Sequence, residues 1–212
     1  MAYNLEEQEQ LDALKAFWQK YGGFILTVAL VVSASFAGWR GWQWYQTNQS
    51  VQASQAYEQL RSAATAQDVA TVREAAGRIF ADYGSTAWAQ MAALVAADAY
   101  LEAGDASAAK IPLQWAIDSA QDPAFRDQAR LALAAILLDE KNHAAALALL
   151  QAPAEKSYTA IFADRRGDIL IAQGKTVEAR AAYRQALDLL GADSALRRLV
   201  QVKFDALPGG AA

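Results

Sequence analysis

A short cluster of charges in the last third of the chain is the stretch most able to do chemistry. Asp164 and Asp168 lie four residues apart and share a face if the segment is helical, with Arg165 and Arg166 between them. Two carboxylates form an acid–base pair only where the surroundings shift a pKa, and nothing here favours such a shift. The pattern predicts solvated or ion-paired charges, or a cluster that recognises a polar or acidic peptide.

The rest of the sequence offers still less for catalysis. The chain has no cysteine, which excludes disulfides, thiol catalysis and cysteine-ligated metals. Its single histidine, His143, has no partners at metal-ligand spacing, so we expect a packing role. The glycines are isolated and form no phosphate-binding loop. We therefore predict a protein that is not an enzyme, with no metal, no cofactor and no small-molecule substrate.

Charge and composition narrow the class of partner and fold. The net charge is −4, and the 19 basic residues form no stripe, so nucleic acid is not an expected partner. After Arg40 the chain is rich in alanine and poor in strand-favouring residues. We expect an all-α protein.

One uncharged stretch organises the chain. The 19 residues from Tyr21 to Trp39 are flanked by Lys20 and Arg40, and a helix needs roughly 20 apolar residues to cross a bilayer. Residues able to form aromatic belts border it on both sides: Phe17, Trp18, Tyr21, Trp39, Trp42, Trp44 and Tyr45. We predict a transmembrane helix over 21–45, in contact with membrane lipid.

Two other interpretations of this stretch remain open. A cleaved signal peptide would explain Ser35-Phe36-Ala37 before Gly38, but the apolar run exceeds the usual roughly 7–15 residues and an acidic segment precedes it. A buried core helix would not explain the crowded aromatic residues.

The charges beside the predicted span indicate its orientation. Lys15 and Lys20 precede it, whereas only Arg40 closely follows it. By the positive-inside rule, residues 1–20 form a short cytoplasmic segment and the carboxy-terminal domain lies in the periplasm of a bacterial inner-membrane protein.

Small residues recur within the span at a spacing that permits close helix contact. These residues are Ser33, Ala34, Ala37, Gly38 and Gly41. We predict a membrane-helix contact along this stripe.

The remaining sequence predicts paired helices. Residues 46–84 are expected to form a linker helix and a first helical pair, with Asp68 as the N-cap of its second helix. Residues 85–206 contain turns around Gly104, Lys141 and Gly174, about 37 and 33 residues apart. Repetition near this period is typical of tetratricopeptide helix–turn–helix arrays.

Small residues flank each turn at constant distances, where the two helices of a pair would cross. Ala97, Ala134 and Gly167 precede the three turns by seven residues, and Ala109, Ala146 and Ala179 follow them by five. Pro112 should kink the second helix of the first pair or delay its start.

The end of the repeat region carries its own signal. Residues 193–206 contain Leu196, Leu199, Val200, Val202 and Phe204 and predict a helix that caps the stack. A loose tail is expected over 207–212.

The chain resembles the YfgM family, the ancillary subunits of the SecYEG translocon. The matching segments are LKAFWQKYGG (14–23), YLEAGD (100–105), RLALAAILLDEKNHAAALALL (130–150) and RRGDILIAQGKTVEARAAYRQAL (165–187). The resemblance implies a single-pass inner-membrane protein with a tetratricopeptide-like periplasmic domain, an α-solenoid of antiparallel helix pairs. It also implies association with SecYEG and with periplasmic chaperones, notably membrane-anchored PpiD, in the handling of translocated proteins.

A solenoid of this kind presents a concave face lined by the first helix of each pair. Consensus groove positions fall on Met91, Leu94, Asp98, Gln128, Leu131, Asp164 and Asp168, to which the neighbouring Arg165 is added. Leu94 and Leu131 are equally well explained as core residues.

A regulatory function is the alternative hypothesis. In it, the short cytoplasmic segment, through its acidic stretch from Glu6 to Asp12, would restrain a signalling or transcription factor. Deletion of residues 1–16 would abolish such a contact and spare a periplasmic one.

Overall fold

A computed structural model describes the backbone of residues 3–208 and the side chains of residues 9–208. Within this range the chain forms α-helices and no strand, as expected of an all-α protein. The helices are α1 (Tyr3–Thr65), α2 (Val69–Tyr83), α3 (Ala87–Glu102), α4 (Ala106–Ser119), α5 (Pro123–Asp139), α6 (His143–Leu149), α7 (Thr159–Ala172), α8 (Thr176–Leu189) and α9 (Ala195–Asp205), with a 3₁₀ turn over Lys156–Tyr158.

The chain divides into two compact units, Met1–Gln49 and Ser50–Ala212. The side chains of residues 6–8, in the acidic stretch from Glu6 to Asp12, and residues 209–212 of the expected tail lie outside the described part of the chain. The expected domain limits at 20, 45 and 84 stay predictions.

The first unit contains the apolar stretch, which is helical throughout. Its large side chains are exposed, as Phe24 and Leu30 show, so it is not a buried core helix of this chain. By length and composition this helix can cross a membrane. Aromatic pairs lie near both ends of the stretch, Phe17 with Tyr21 and Trp42 with Tyr45.

The stripe of small residues in this unit lies on the exposed helix surface. A Cβ atom added at Gly38 or Gly41 would meet nothing within 4 Å. The stripe is therefore open to another helix, and the helix contact stays a prediction.

The second unit begins with the last turns of α1. Ala53, Tyr57 and Leu60 are buried there at helical spacing. Asp68 caps α2, as predicted, since its carboxylate accepts a hydrogen bond from the Thr71 N–H at 3.1 Å. Residues 50–83 thus form the first pair of the stack.

Three further pairs follow, α3–α4, α5–α6 and α7–α8, and their turns share one backbone geometry. Gly104, Lys141 and Gly174 adopt φ values of 77°, 62° and 76°, in the left-handed region that glycine enters without steric cost. Lys141 therefore holds the middle turn in the shape of the other two at a cost of about 1 kcal/mol.

The small residues beside the turns are buried where the helices of each pair cross, as predicted: Ala97, Ala109, Ala134, Ala146, Gly167 and Ala179. Helix α4 begins at Ala106 and continues through Pro112, so the predicted delay of its start is wrong. The Asp105 carboxylate explains this start, because it accepts a hydrogen bond from the Ala108 N–H at 2.9 Å.

Helix α9 packs on the end of the stack and confirms the expected capping helix. Val200 and Phe204 are buried, and the guanidinium of Arg180 lies 4.1 Å from the centre of the Phe204 ring. Leu199 and Val202 are exposed, so the apolar face is narrower than the sequence suggested. An eleven-residue helix that packs on one side places only one stripe in the core.

The buried residues of this unit form three clusters rather than one. The largest joins α1 to α5, a second lies between α5, α6 and α7, and a third joins α7, α8 and α9. Helices α5 and α7 therefore each contribute to two clusters.

Candidate interaction surface

The predicted groove residues lie on the first helices of three successive pairs. Met91, Leu94 and Asp98 are on α3, Gln128 and Leu131 on α5, and Asp164, Arg165 and Asp168 on α7. Helix α5 contacts both α3 and α7. The structure thus places these residues on three stacked helices, but it gives them different surroundings.

On α3, the apolar positions serve the core and the acid stays at the surface. Met91 and Leu94 are half-buried against the largest apolar cluster. Asp98 lies at the surface, but its carboxyl group is still partly shielded from water. This partial burial raises the pKa of the carboxyl above its ordinary value, and the charge of Glu102 adds to the effect. This part of the face offers one carboxylate that no described side chain pairs with.

On α5, a leucine again packs inward and an amide lies at the surface. Leu131 is half-buried against the second cluster, which contains Phe162. The exposed Gln128 donates a hydrogen bond to the Tyr158 hydroxyl at 2.8 Å. Asp98 and Gln128 are therefore the exposed groove positions on α3 and α5.

On α7, both carboxylates are already occupied by the chain itself. The Lys203 ammonium, from the capping helix α9, donates to Asp164 at 2.8 Å and to Asp168 at 2.9 Å. The Tyr183 hydroxyl donates to Asp168 at 2.8 Å, and Arg165 lies 3.4 Å from the same carboxylate. We call these five residues the α7–α9 charge cluster.

Burial raises the pKa of two groups in the α7–α9 charge cluster. Asp164 is only 2% exposed, and this desolvation raises the pKa of its carboxyl, although the hydrogen bond from Lys203 opposes the shift. Burial also raises the pKa of the Tyr183 hydroxyl, helped by its hydrogen bond to Asp168. The cluster links α9 to α7. The expectation that nothing here favours a shifted pKa is wrong for Asp164, because the sequence does not show its burial.

Sequence reasoning missed Lys203. The sequence did indicate that Lys203 borders the apolar face of α9, because it lies three residues after Val200 and one before Phe204, which are both buried. A lysine at the edge of a buried stripe needs a carboxylate partner.

A second buried carboxylate, Asp127 on α5, was also missed. It is fully buried and accepts hydrogen bonds from the N–H groups of Ala154 and Glu155 at 3.0 and 2.8 Å and from Arg130 at 3.3 Å. It ties the loop after α6 to α5. Two of its partners are backbone groups 27 and 28 residues away, which no sequence motif reveals.

His143 begins α6 and is half-buried. No group of histidine and acidic side chains in the described part of the chain could hold a metal ion. Lys203 acts in an ion pair with Asp164, whereas the exposed Asp98 on α3 pairs with no side chain that the structure describes.

This architecture defines a class of protein. Antiparallel helix pairs with small residues at their crossings form a tetratricopeptide-type solenoid, a scaffold that presents a surface to other proteins. The family model described as "Tetratricopeptide repeat-like domain" matches residues 15–209.

Curated relatives make the assignment more specific. The "Ancillary SecYEG translocon subunit" of Neisseria gonorrhoeae is 28% identical over 98% of this chain and all of its own length. The protein of the same name from Haemophilus influenzae is 31% identical over 88% of this chain and 91% of its own, and that of Escherichia coli is 25% identical over 95% and 96%. No solved structure matched the chain. The chain belongs to the family of ancillary SecYEG translocon subunits, the YfgM family.

Proposed function

We propose that this protein is a non-catalytic adaptor of the SecYEG protein-export channel, anchored in the inner membrane by one helix. The observation that carries the proposal is the alignment with translocon subunits over nearly the whole chain, which includes the apolar helix and every helix pair. Tethering raises the effective concentration of the repeat unit near a membrane-bound partner.

In the orientation that we propose, the amino terminus is cytoplasmic and the repeat unit is periplasmic. Lys15 and Lys20 before the apolar helix and Arg40 after it support this assignment. The repeat unit would then meet periplasmic chaperones such as PpiD and hold them beside the channel, where translocated chains emerge.

The docking face in this proposal is the exposed part of α3 and α5 rather than α7. Asp98 and Gln128 are exposed there, whereas Lys203 already occupies the carboxylates of Asp164 and Asp168. A partner that binds this face would bring hydrogen-bond donors to Asp98 and Gln128.

Photo-crosslinking in intact inner membranes tests the proposal. A photoreactive amino acid at position 98 or 128 should capture a SecYEG subunit or PpiD, detected with antibodies against each. The same amino acid at Val177, which is 84% exposed on α8, is the matched control and should capture neither.

Two results would contradict the proposal. Equal capture from positions 98, 128 and 177 would mean that no defined face is used. Loss of all capture on deletion of residues 1–16 would place the contact in the cytoplasmic segment and favour the regulatory alternative.

A further inference from the structure

A groove unrelated to the surface of α3 and α5 lies between α2 and α4. It has a volume of about 260 Å³, and its lining is mainly apolar. Its lining includes Arg73, Gly77, Phe80, Ala108, Ile111 and Pro112. The Phe80 ring stacks on Trp115 at 4.4 Å and stiffens one wall, while Ile111 is 70% exposed. We call it the α2–α4 groove.

Gly77 lies in the groove lining, and the fold itself does not require a glycine there. It is in the interior of α2, and a Cβ atom added to it would meet nothing within 4 Å. An interior helix glycine costs about 1 kcal/mol relative to alanine. Among the residues that the structure describes, none fills the space beside Gly77, so a group from outside the chain can approach the helix backbone there.

Pro112 removes one helical hydrogen-bond donor from α4 beside the same groove. It lies inside α4 and has no N–H, so the Ala108 carbonyl, four residues earlier, lacks its usual helical donor. Ala108 and Pro112 both line the groove. An occupant with N–H groups, such as an extended peptide, can donate to this carbonyl, whereas a lipid acyl chain cannot.

The charge of the groove lining indicates which chemical group an occupant would carry. Arg73 is the charged residue of the lining, and no carboxylate lines the groove. Arg73 forms no salt bridge with any side chain that the structure describes. A guanidinium beside an apolar groove complements a carboxylate on an otherwise apolar partner.

We infer that the α2–α4 groove binds an extended, apolar peptide segment of another protein that carries a carboxylate. An apolar side chain of the segment would lie over Gly77 and against Ile111, a backbone N–H would reach the Ala108 carbonyl, and the carboxylate would meet Arg73. This site goes beyond the proposed function, since it involves neither Asp98 nor Gln128 and does not depend on contact with the translocon.

Binding to a defined probe tests the inference. The full-length protein in lipid nanodiscs is titrated against short fluorescein-labelled peptides in which valine and leucine alternate with serine. One glutamate is moved through the positions of the panel, and a glutamine replaces it in each matched peptide. Fluorescence anisotropy reports the affinity, and a short-chain phosphatidylglycerol is the lipid competitor.

Gly77→Leu should weaken the affinity for the tightest-binding peptide by at least about tenfold, because the leucine side chain would fill the groove. The same substitution improves helix propensity, so thermal unfolding should occur at the same or a higher temperature, which separates lost binding from lost folding. Ala181→Leu adds the same bulk at an exposed position on α8 and should bind like wild type.

Arg73→Gln should remove the preference for the glutamate peptide over its glutamine partner and leave the affinity for the latter unchanged. Equal binding by Gly77→Leu and wild type, or equal weakening by Gly77→Leu and Ala181→Leu, would overturn the inference. Absence of peptide binding, or displacement of the peptide only by the lipid, would also overturn it.

Discussion

The pairs α3–α4 and α5–α6 differ from the pair α7–α8 in the type of residue that occupies one repeat position. Leu94, Leu131 and Asp164 each lie ten residues before their turn. The two leucines pack against apolar clusters, whereas Asp164 is buried and paired with Lys203. The pairs α3–α4 and α5–α6 are each followed by another pair, and a leucine at this position adds to the apolar packing. The pair α7–α8 is followed by the capping helix α9, which pairs Lys203 with the aspartate.

A second repeat position shows the same contrast. Ala97 and Ala134 are buried at the crossings of their pairs, but the third pair has Gly167. A Cβ atom on Gly167 would come within 2.4 Å of the Tyr183 ring, the residue that donates to Asp168. The glycine therefore makes room for the α7–α9 charge cluster.

The largest expected effect comes from removing the ammonium that distinguishes the last pair. Lys203→Met should lower the free energy of unfolding by about 3 kcal/mol, because it leaves Asp164 buried without its cation. Urea denaturation of the full-length protein in detergent, followed by circular dichroism, measures the loss.

The double variant Asp164→Leu/Lys203→Met is the matched control, since it introduces the leucine that α3 and α5 carry at the same repeat position. It should unfold within about 1 kcal/mol of wild type, because a buried ion pair is often replaceable by apolar residues. If the double variant were as unstable as Lys203→Met, the buried charge would not be the cause, and the contrast between the pairs would fail.

Exchanging the small residues at the crossings should have an intermediate effect. Gly167→Ala should cost about 2 kcal/mol, because the Tyr183 ring must shift. Ala134→Gly, at the matched position of the middle pair, should cost about 1 kcal/mol through helix propensity. Thermal unfolding of both variants tests whether Gly167→Ala loses more stability than Ala134→Gly. Equal losses would show that the Tyr183 ring can shift at little cost.

The smallest expected effect is a pH dependence confined to the last pair. Burial raises the folded-state pKa of the Asp164 carboxyl above its ordinary value. The stability that this group contributes is therefore fully present below the unfolded-state pKa and is lost as pH rises through the folded-state pKa. Lys203→Met removes a hydrogen bond that opposes this shift, so the pKa should rise further. Protonation then relieves the buried charge, and the loss in Lys203→Met should shrink by about 1 kcal/mol on acidification.

Urea denaturation at neutral and acidic pH measures this difference, with the double variant as the reference that lacks both groups. A loss in Lys203→Met that is constant across the pH range would mean that Asp164 stays ionised in the folded protein.

The sequence predicted the repeat architecture because it depends on local spacing. Turn residues, small residues such as Ala109 and the N-cap Asp68 act within a few positions of themselves. The environments of Asp164 and Asp127 were not predictable, because Lys203 lies 39 residues from Asp164 and the backbone N–H of Ala154 lies 27 residues from Asp127. The groove positions on α3 and α5 lie on stacked helices, and their role in lining a binding face stays a prediction.

The division of the buried residues into three clusters has a consequence for the order of unfolding. Neighbouring clusters share only α5 or α7, so parts of the stack can open in turn rather than together. Slow amide hydrogen exchange should be concentrated where α1 to α5 join, with faster exchange around the seven-residue α6. A pull on the chain from its carboxy-terminal end would then release the helices in succession, while those next to the membrane anchor would yield last.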